Sequence, residues 1–131
     1  MRFLILDDSK AMRSLVRVHL GSMGHTDVED ASDVRSALSI AMADPKPDVC
    51  LVDWQMATEG EHDGLALVKA IRAKLPSTII IMMTAERDKK KTVAAVMAGV
   101  DGFILKPFTP QTFKELLIRA IQRGRAIKQA S

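Results

Sequence analysis

Four short apolar runs, FLIL at 3–6, VCLV at 49–52, IIIMM at 79–83 and FIL at 103–105, recur along the chain at wide intervals. Each is continuous rather than alternating, the pattern of strands covered on both faces. A weaker, charged run, TDVEDA at 26–31, suits an edge strand, where polar side chains discourage unwanted pairing between sheets. Between these runs the spacing turns helical. Met12, Leu15, Val16, Leu20 and Met23 recur at helical steps after Ser9, and Val34, Ala37, Leu38 and Ala41 do so after Ser32 or Asp33, all three being N-cap candidates. Leu65, Val68 and Ile71 mark a third helix, and Val93, Val96 and Met97 a fourth that ends near Gly99. Thr109 and Pro110 open a fifth, carried on by Phe113, Leu116, Leu117, Ala120 and Ile121.

Strands alternating with helices predict βαβ units with right-handed crossovers, hence a doubly wound parallel α/β sheet with helices on both faces. A chain of 131 residues, 47% hydrophobic and 27% charged, is the size and balance of one domain with a real core, so a single domain over 1–131 is expected. Residues 122–131 form its basic C-terminal extension, which either lengthens the last helix or frays. No apolar run approaches the roughly 20 residues of a membrane span, and MRFLIL passes directly into DDSK without a cleavage pattern, so a cytoplasmic location is expected. One cysteine, Cys50 inside DVCLV, rules out an internal disulfide and a cysteine-built metal site and reads as a small buried hydrophobe. The net charge of +3 is uneven: residues 102–131 hold six Lys or Arg against Glu115 alone. A solvated helix face complementing the helix dipole accounts for this better than a nucleic-acid surface. Lys89, Lys90 and Lys91 read the same way, although at a helix start they hint at a partner-facing role. Met12, Met82, Met83 and Met97 fall on expected core faces and read as filler. His19, His25 and His62 are too scattered for a metal site.

In an open parallel sheet ligands bind outside the carboxyl ends of the strands, so the residues following each apolar run matter most. The first run ends in Asp7 and Asp8, the second in Asp53, IIIMM in Thr84, and FIL in Lys106 followed by Pro107. Each alone is an ordinary turn or cap residue. Together they bring three carboxylates, a hydroxyl and an ammonium to one edge. Crowded carboxylates raise one another's pKa unless a cation neutralises them, and a hydrated oxygen site of this kind suits Mg²⁺. The lysine and threonine supply what a phosphoryl group requires, positive charge and a donor facing its oxygens.

In order, spacing and strand context, DDS (7–9), VDW (52–54), MTA (83–85) and KPF (106–108) resemble the receiver domain of two-component response regulators, the CheY-like fold, over essentially the whole chain. The resemblance implies a flavodoxin-like (βα)5 sheet in strand order 2-1-3-4-5. It implies that Asp53 is the phosphoacceptor, taking a phosphoryl group from a phosphohistidine on a sensor histidine kinase or phosphotransfer protein. Mg²⁺ (or Mn²⁺) would be held by Asp8, Asp53 and the backbone carbonyl of Gln55, with Asp7 acting through a water. Thr84, Lys106 and the backbone N–H groups of Trp54 and Ala85 would hold the phosphoryl oxygens. A cis peptide bond before Pro107 would aim Lys106. Thr84 and Phe103 would form the switch, with Phe103 as a permanent core residue the competing reading. The face of the fourth helix, fifth strand and fifth helix would be read by a downstream protein. The domain would thus be a signalling module rather than a turnover enzyme, limited to its own phosphotransfer and slow autodephosphorylation. It would bind neither membrane nor nucleic acid by itself, and a phosphorylation-dependent homodimer is one arrangement the likeness allows.

The usual pattern after the nucleophile is close to DxxMPxMDG, whereas this chain reads DWQMATEGEHDG, without the proline and with three more residues. Gln55, Glu86 and the lengthened 57–62 loop either tune phosphoryl lifetime and kinase choice or, in the case of the loop, represent tolerated lengthening. An aspartate-nucleophile phosphohydrolase uses a similar set on a related sheet. It resembles a DxD signature instead, and the third position of DWQ offers no acid for a leaving group.

Overall fold

A computed structural model describes residues 1–53, 64–85 and 89–130. Five strands and five helices alternate as β1 (Phe3–Leu6), α1 (Lys10–Ser22), β2 (Val28–Ala31), α2 (Val34–Met42), β3 (Val49–Asp53), α3 (Gly64–Lys74), β4 (Ile79–Thr84), α4 (Lys89–Ala98), β5 (Gly102–Leu105) and α5 (Pro110–Ala130). The strands form one parallel sheet in the order β2-β1-β3-β4-β5, as expected. No described helix is long and apolar enough to cross a membrane.

The period-two alternation of side chains divides the core into two layers. Leu4, Leu6, Cys50, Val52, Ile80 and Met82 point to the side covered by α2, α3 and α4, where Ala37, Ala41, Leu67, Val68, Ile71, Ala95 and Ala98 meet them. Phe3, Ile5, Val49, Leu51, Ile79, Ile81 and Met83 point to the other side, against Val16 and Leu20 of α1 and Phe113, Leu117 and Ile121 of α5. Every residue of β1, β3 and β4 is buried, which explains their unbroken apolar runs. β2 is a sheet edge with Glu29 exposed, as its charges indicated.

Caps follow local chemistry. The Ser9 hydroxyl accepts from Met12 N at 3.1 Å, and the Asp33 carboxylate from Ser36 N at 2.8 Å, which selects Asp33 over Ser32 as the α2 cap. That bond to the backbone holds the Asp33 carboxyl below the usual range. Thr109 caps α5 by accepting from Thr112 N at 3.0 Å. The C-terminal extension continues α5 to 21 residues, about 31 Å at the usual helical rise.

The fourth helix departs from expectation. Val93 is 59%, Val96 46% and Met97 82% exposed, while Ala95 and Ala98 are buried, so the large apolar side chains marked the wrong face and Met97 is not core filler. The reason lies in spacing: the helix packs against its neighbours through small side chains. β5, the other edge of the sheet, is not covered on both faces. Leu105 is 40% exposed and Phe103 only half-buried against the α2–α4 layer, whereas Ile104 is fully covered on the α5 side. There α5 approaches closely, and a Cβ on Gly102 would come within 2.7 Å of the Ala120 Cβ, so only glycine fits. In α1, Leu15 is also exposed, at 41%. Met82 and Met83 are fully buried, and Met12 packs at the edge of the α1–α5 layer.

A buried carboxylate closes the amino end of the sheet. Asp101, just before β5, accepts from Arg72 Nη2 at 2.8 Å, Ile80 N at 2.9 Å and Lys128 Nζ at 2.8 Å. Arg72 also donates to the carbonyls of Gly99, Pro76 and Thr78, tying α3, the end of α4 and the start of β4 together.

Candidate functional site

The carboxyl ends of β1, β3 and β5 bring Asp7, Asp8, Asp53 and Lys106 to one place. Asp7 and Asp53 are buried, Asp8 is exposed, and one carboxylate oxygen from each lies within 4.8 Å of the others. The Lys106 ammonium donates to Asp53 Oδ1 at 3.0 Å and to Asp7 Oδ2 at 3.4 Å, with its own side chain 18% exposed. It reaches them because β5 is next but one to β3, and because its backbone N–H bonds to Thr84 O at 2.8 Å, which extends the β4–β5 ladder beyond Leu105. The Lys106–Pro107 peptide bond is cis.

Asp7 sits on a firmly held backbone. Its N–H bonds to Ala31 O at 3.2 Å, its Oδ1 accepts from Ser9 N at 2.9 Å, and its carbonyl accepts from Arg13 Nη1 at 2.7 Å. Burial pushes the Asp7 carboxyl above its ordinary value, and Asp53 alongside adds to the rise; the Ser9 N–H and Lys106 pull the other way. A carboxyl in this position favours any added cation. Three oxygen donors of this type fit a hard divalent ion such as Mg²⁺ or Mn²⁺, which takes one or two carboxylates and keeps waters.

Thr84 closes β4 beside Asp53, is buried, and pairs with Leu105 across the ladder; Ala85 follows it, exposed. Phe103 lies two residues earlier on β5 than Leu105 and turns toward the α2–α4 layer. Trp54, Gln55, Glu86, His62 and the whole 57–62 loop lie outside the described residues, as do the side chains of Lys89, Lys90 and Lys91. Arg13 and the Asp101 cluster escaped the sequence reading. A lone cation within an amphipathic helix carries no signal of the carbonyl it will bind, and a single aspartate before a strand carries none of the distant cations that Asp101 meets. His19 also has a role no spacing indicated: it is buried and packs at ring-centroid distances of 5.8 Å from Phe108 and 5.3 Å from Phe113.

A family profile described as the response regulator receiver domain matches residues 3–118. The chain is 40% identical over 126 residues to a protein named as a chemotaxis protein CheY homolog from Campylobacter jejuni, covering 95% of each. It is 39% identical to the chemotaxis protein CheY1 of Helicobacter pylori, over 89% of this chain and 94% of that one. Among solved structures, the chemotaxis protein CheY4 of Vibrio cholerae superposes with a TM-score of 0.80 at 32% identity, over 91% of this chain and 97% of that one.

Proposed function

The chain belongs to the response regulator receiver family, and from that premise we propose that Asp53 accepts a phosphoryl group from a phosphohistidine of a sensor kinase or phosphotransfer protein. A carboxylate oxygen of Asp53 forms the new O–P bond as the P–N bond to the donor imidazole breaks, and the imidazole nitrogen regains a proton from solvent. The observation that carries this reading is the sharing of Lys106 between the buried carboxylates of Asp53 and Asp7. On transfer the ammonium follows the charge from carboxylate to phosphoryl oxygen, so the site is organised for the product before the reaction begins.

Asp8, Asp53 and the Gln55 carbonyl, with Asp7 through a water, would hold Mg²⁺ or Mn²⁺. The bound ion supplies charge neutralisation for the transferring group. By the family likeness, Thr84 and the N–H groups of Trp54 and Ala85 would hold the remaining oxygens, while Gln55 and Glu86 would set how readily water reaches the phosphoryl group. The domain is a signalling module, with its own aspartate as the substrate, rather than a turnover enzyme.

Output follows from movement of Thr84 toward the phosphoryl group and of Phe103 into the space beside it, which alters the surface of α4, β5 and α5. The half-burial of Phe103 supports this over a permanent core role, and the exposed Val93, Val96, Met97, Leu105 and Ile118 make that surface apolar enough for a protein partner. The relatives are named as chemotaxis proteins, which favours an output of the same kind for this chain.

Labelling with a small phosphodonor in the presence of Mg²⁺ tests the reading. Wild type takes one phosphoryl group and Asp53→Asn takes none; equal labelling of both overturns it. Sustained multiple-turnover hydrolysis of phosphomonoesters would establish a phosphohydrolase instead.

A further inference from the structure

We propose that Arg13 is a positioning residue of the acidic cluster, holding the Asp7–Asp8 peptide so that Asp8 presents its carboxylate to a divalent cation. The inference rests on the metal-assisted reading of the site given above. Asp7 is held through its side chain by Ser9 N and Lys106, but Asp8 is exposed, and its direction is set by the peptide that joins it to Asp7. The carbonyl of that peptide accepts from Arg13 Nη1 at 2.7 Å. From α1, the same guanidinium reaches Asp30 of the edge strand β2, Nε lying 3.6 Å from Oδ1, with the arginine side chain 16% exposed. Arg17 Nη2 approaches the other oxygen of Asp30 at 2.9 Å, and Arg17 Nη1 donates to Val28 O at 2.9 Å.

The arrangement has two consequences. A planar guanidinium with several donors binds a carbonyl and a carboxylate at once, which an ammonium does less well. Asp30 also balances the Arg13 charge locally, so that the cation grips the backbone beside the cluster without acting as a counter-ion that excludes metal. Arg17 shares Asp30 and helps hold β2 but has no bond to Asp7, which makes it the internal control.

Mg²⁺ binding, measured by titration calorimetry on the unphosphorylated full chain, separates these roles. Arg13→Met should weaken the dissociation constant about tenfold, near 1.4 kcal/mol, whereas Arg17→Met stays within about twofold of wild type although both remove a cation paired with Asp30. Phosphodonor labelling of Arg13→Met should return to the wild-type rate at saturating Mg²⁺, because the defect is one of metal placement. Equal loss in the Arg13 and Arg17 variants, or no loss in either, overturns the inference even if wild type binds Mg²⁺ and is labelled on Asp53. Failure of wild type to bind Mg²⁺ removes the underlying reading as well. Should Arg13→Met lose its cooperative melt, Arg13→Lys carries the same comparison, keeping the charge without the fork and retaining only part of the wild-type affinity.

Discussion

Two buried aspartate sites lie at opposite ends of one sheet. At the amino end of β5, Asp101 is met by Arg72, Lys128 and the Ile80 N–H, so both its oxygens are satisfied within the protein. At the carboxyl ends, Asp7 and Asp53 share Lys106 with a third carboxylate, Asp8, close by. Burial is similar, but among the described residues the ratio of anions to cations is not. A carboxylate surrounded by donors is a structural tie, which loses when any partner is removed. A cluster with more carboxylates than ammonium groups among the described residues retains affinity for charge from outside, and Asp7 adds to this with a pKa raised first by burial and then by Asp53.

Complete loss of phosphodonor labelling in Asp53→Asn is the largest effect this contrast implies. Next in size, Asp101→Ala removes the carboxylate that Arg72, Lys128 and the Ile80 N–H share. Denaturant unfolding should show a loss of about 3 kcal/mol, and Lys128→Met a loss of about 1 kcal/mol because Arg72 remains. Neither change should weaken Mg²⁺ binding, and if either did, the two ends would not be independent.

Asp7→Asn should act in the opposite sense to Asp101→Ala. Removing a buried, crowded charge raises the metal-free melting temperature by about a few degrees while reducing the stabilisation that Mg²⁺ confers. The pH dependence follows the same logic. With the folded pKa of Asp7 above 3.8, the native state keeps a proton that the unfolded chain has lost. The Asp7 contribution to metal-free stability therefore falls as pH rises from 3.8 through that raised value. Stabilisation by Mg²⁺, which competes with this proton, grows over the same interval. Melting curves of wild type minus Asp7→Asn, with and without Mg²⁺, isolate the effect from Asp33, whose lowered pKa has the opposite sign.

The smallest effect concerns Cys50. Fully buried in β3, its thiol is pushed up to about 12 by desolvation, so an alkylating reagent near pH 8 should leave the native protein unmodified and react only after unfolding.

The three inner strands β1, β3 and β4 were legible because they are short runs with both faces covered, a pattern that depends on local composition alone. The edge position of β2 agrees with its charged pattern, and the strand order agrees with what the family likeness implied. The packed face of the fourth helix was not legible from hydrophobicity: Val93, Val96 and Met97 carry the apolar signal, yet Ala95 and Ala98 are the buried side chains. Size complementarity between facing elements decides that choice, and no single segment contains it.

Taken alone, the sequence determined that Asp7, Asp8, Asp53, Thr84 and Lys106 stand at strand ends, since chain order and a parallel sheet leave them nowhere else. Tertiary structure decided how they are held. The sharing of Lys106 between Asp53 and Asp7, the Arg13 grip on the Asp7 carbonyl and the reach of Lys128 back to Asp101 join residues 53, 99, 6 and 27 positions apart. Most of these separations are far longer than the local periodicities a segment encodes, and even the short one depends on side-chain direction. Which charge meets which is settled only when the layers close.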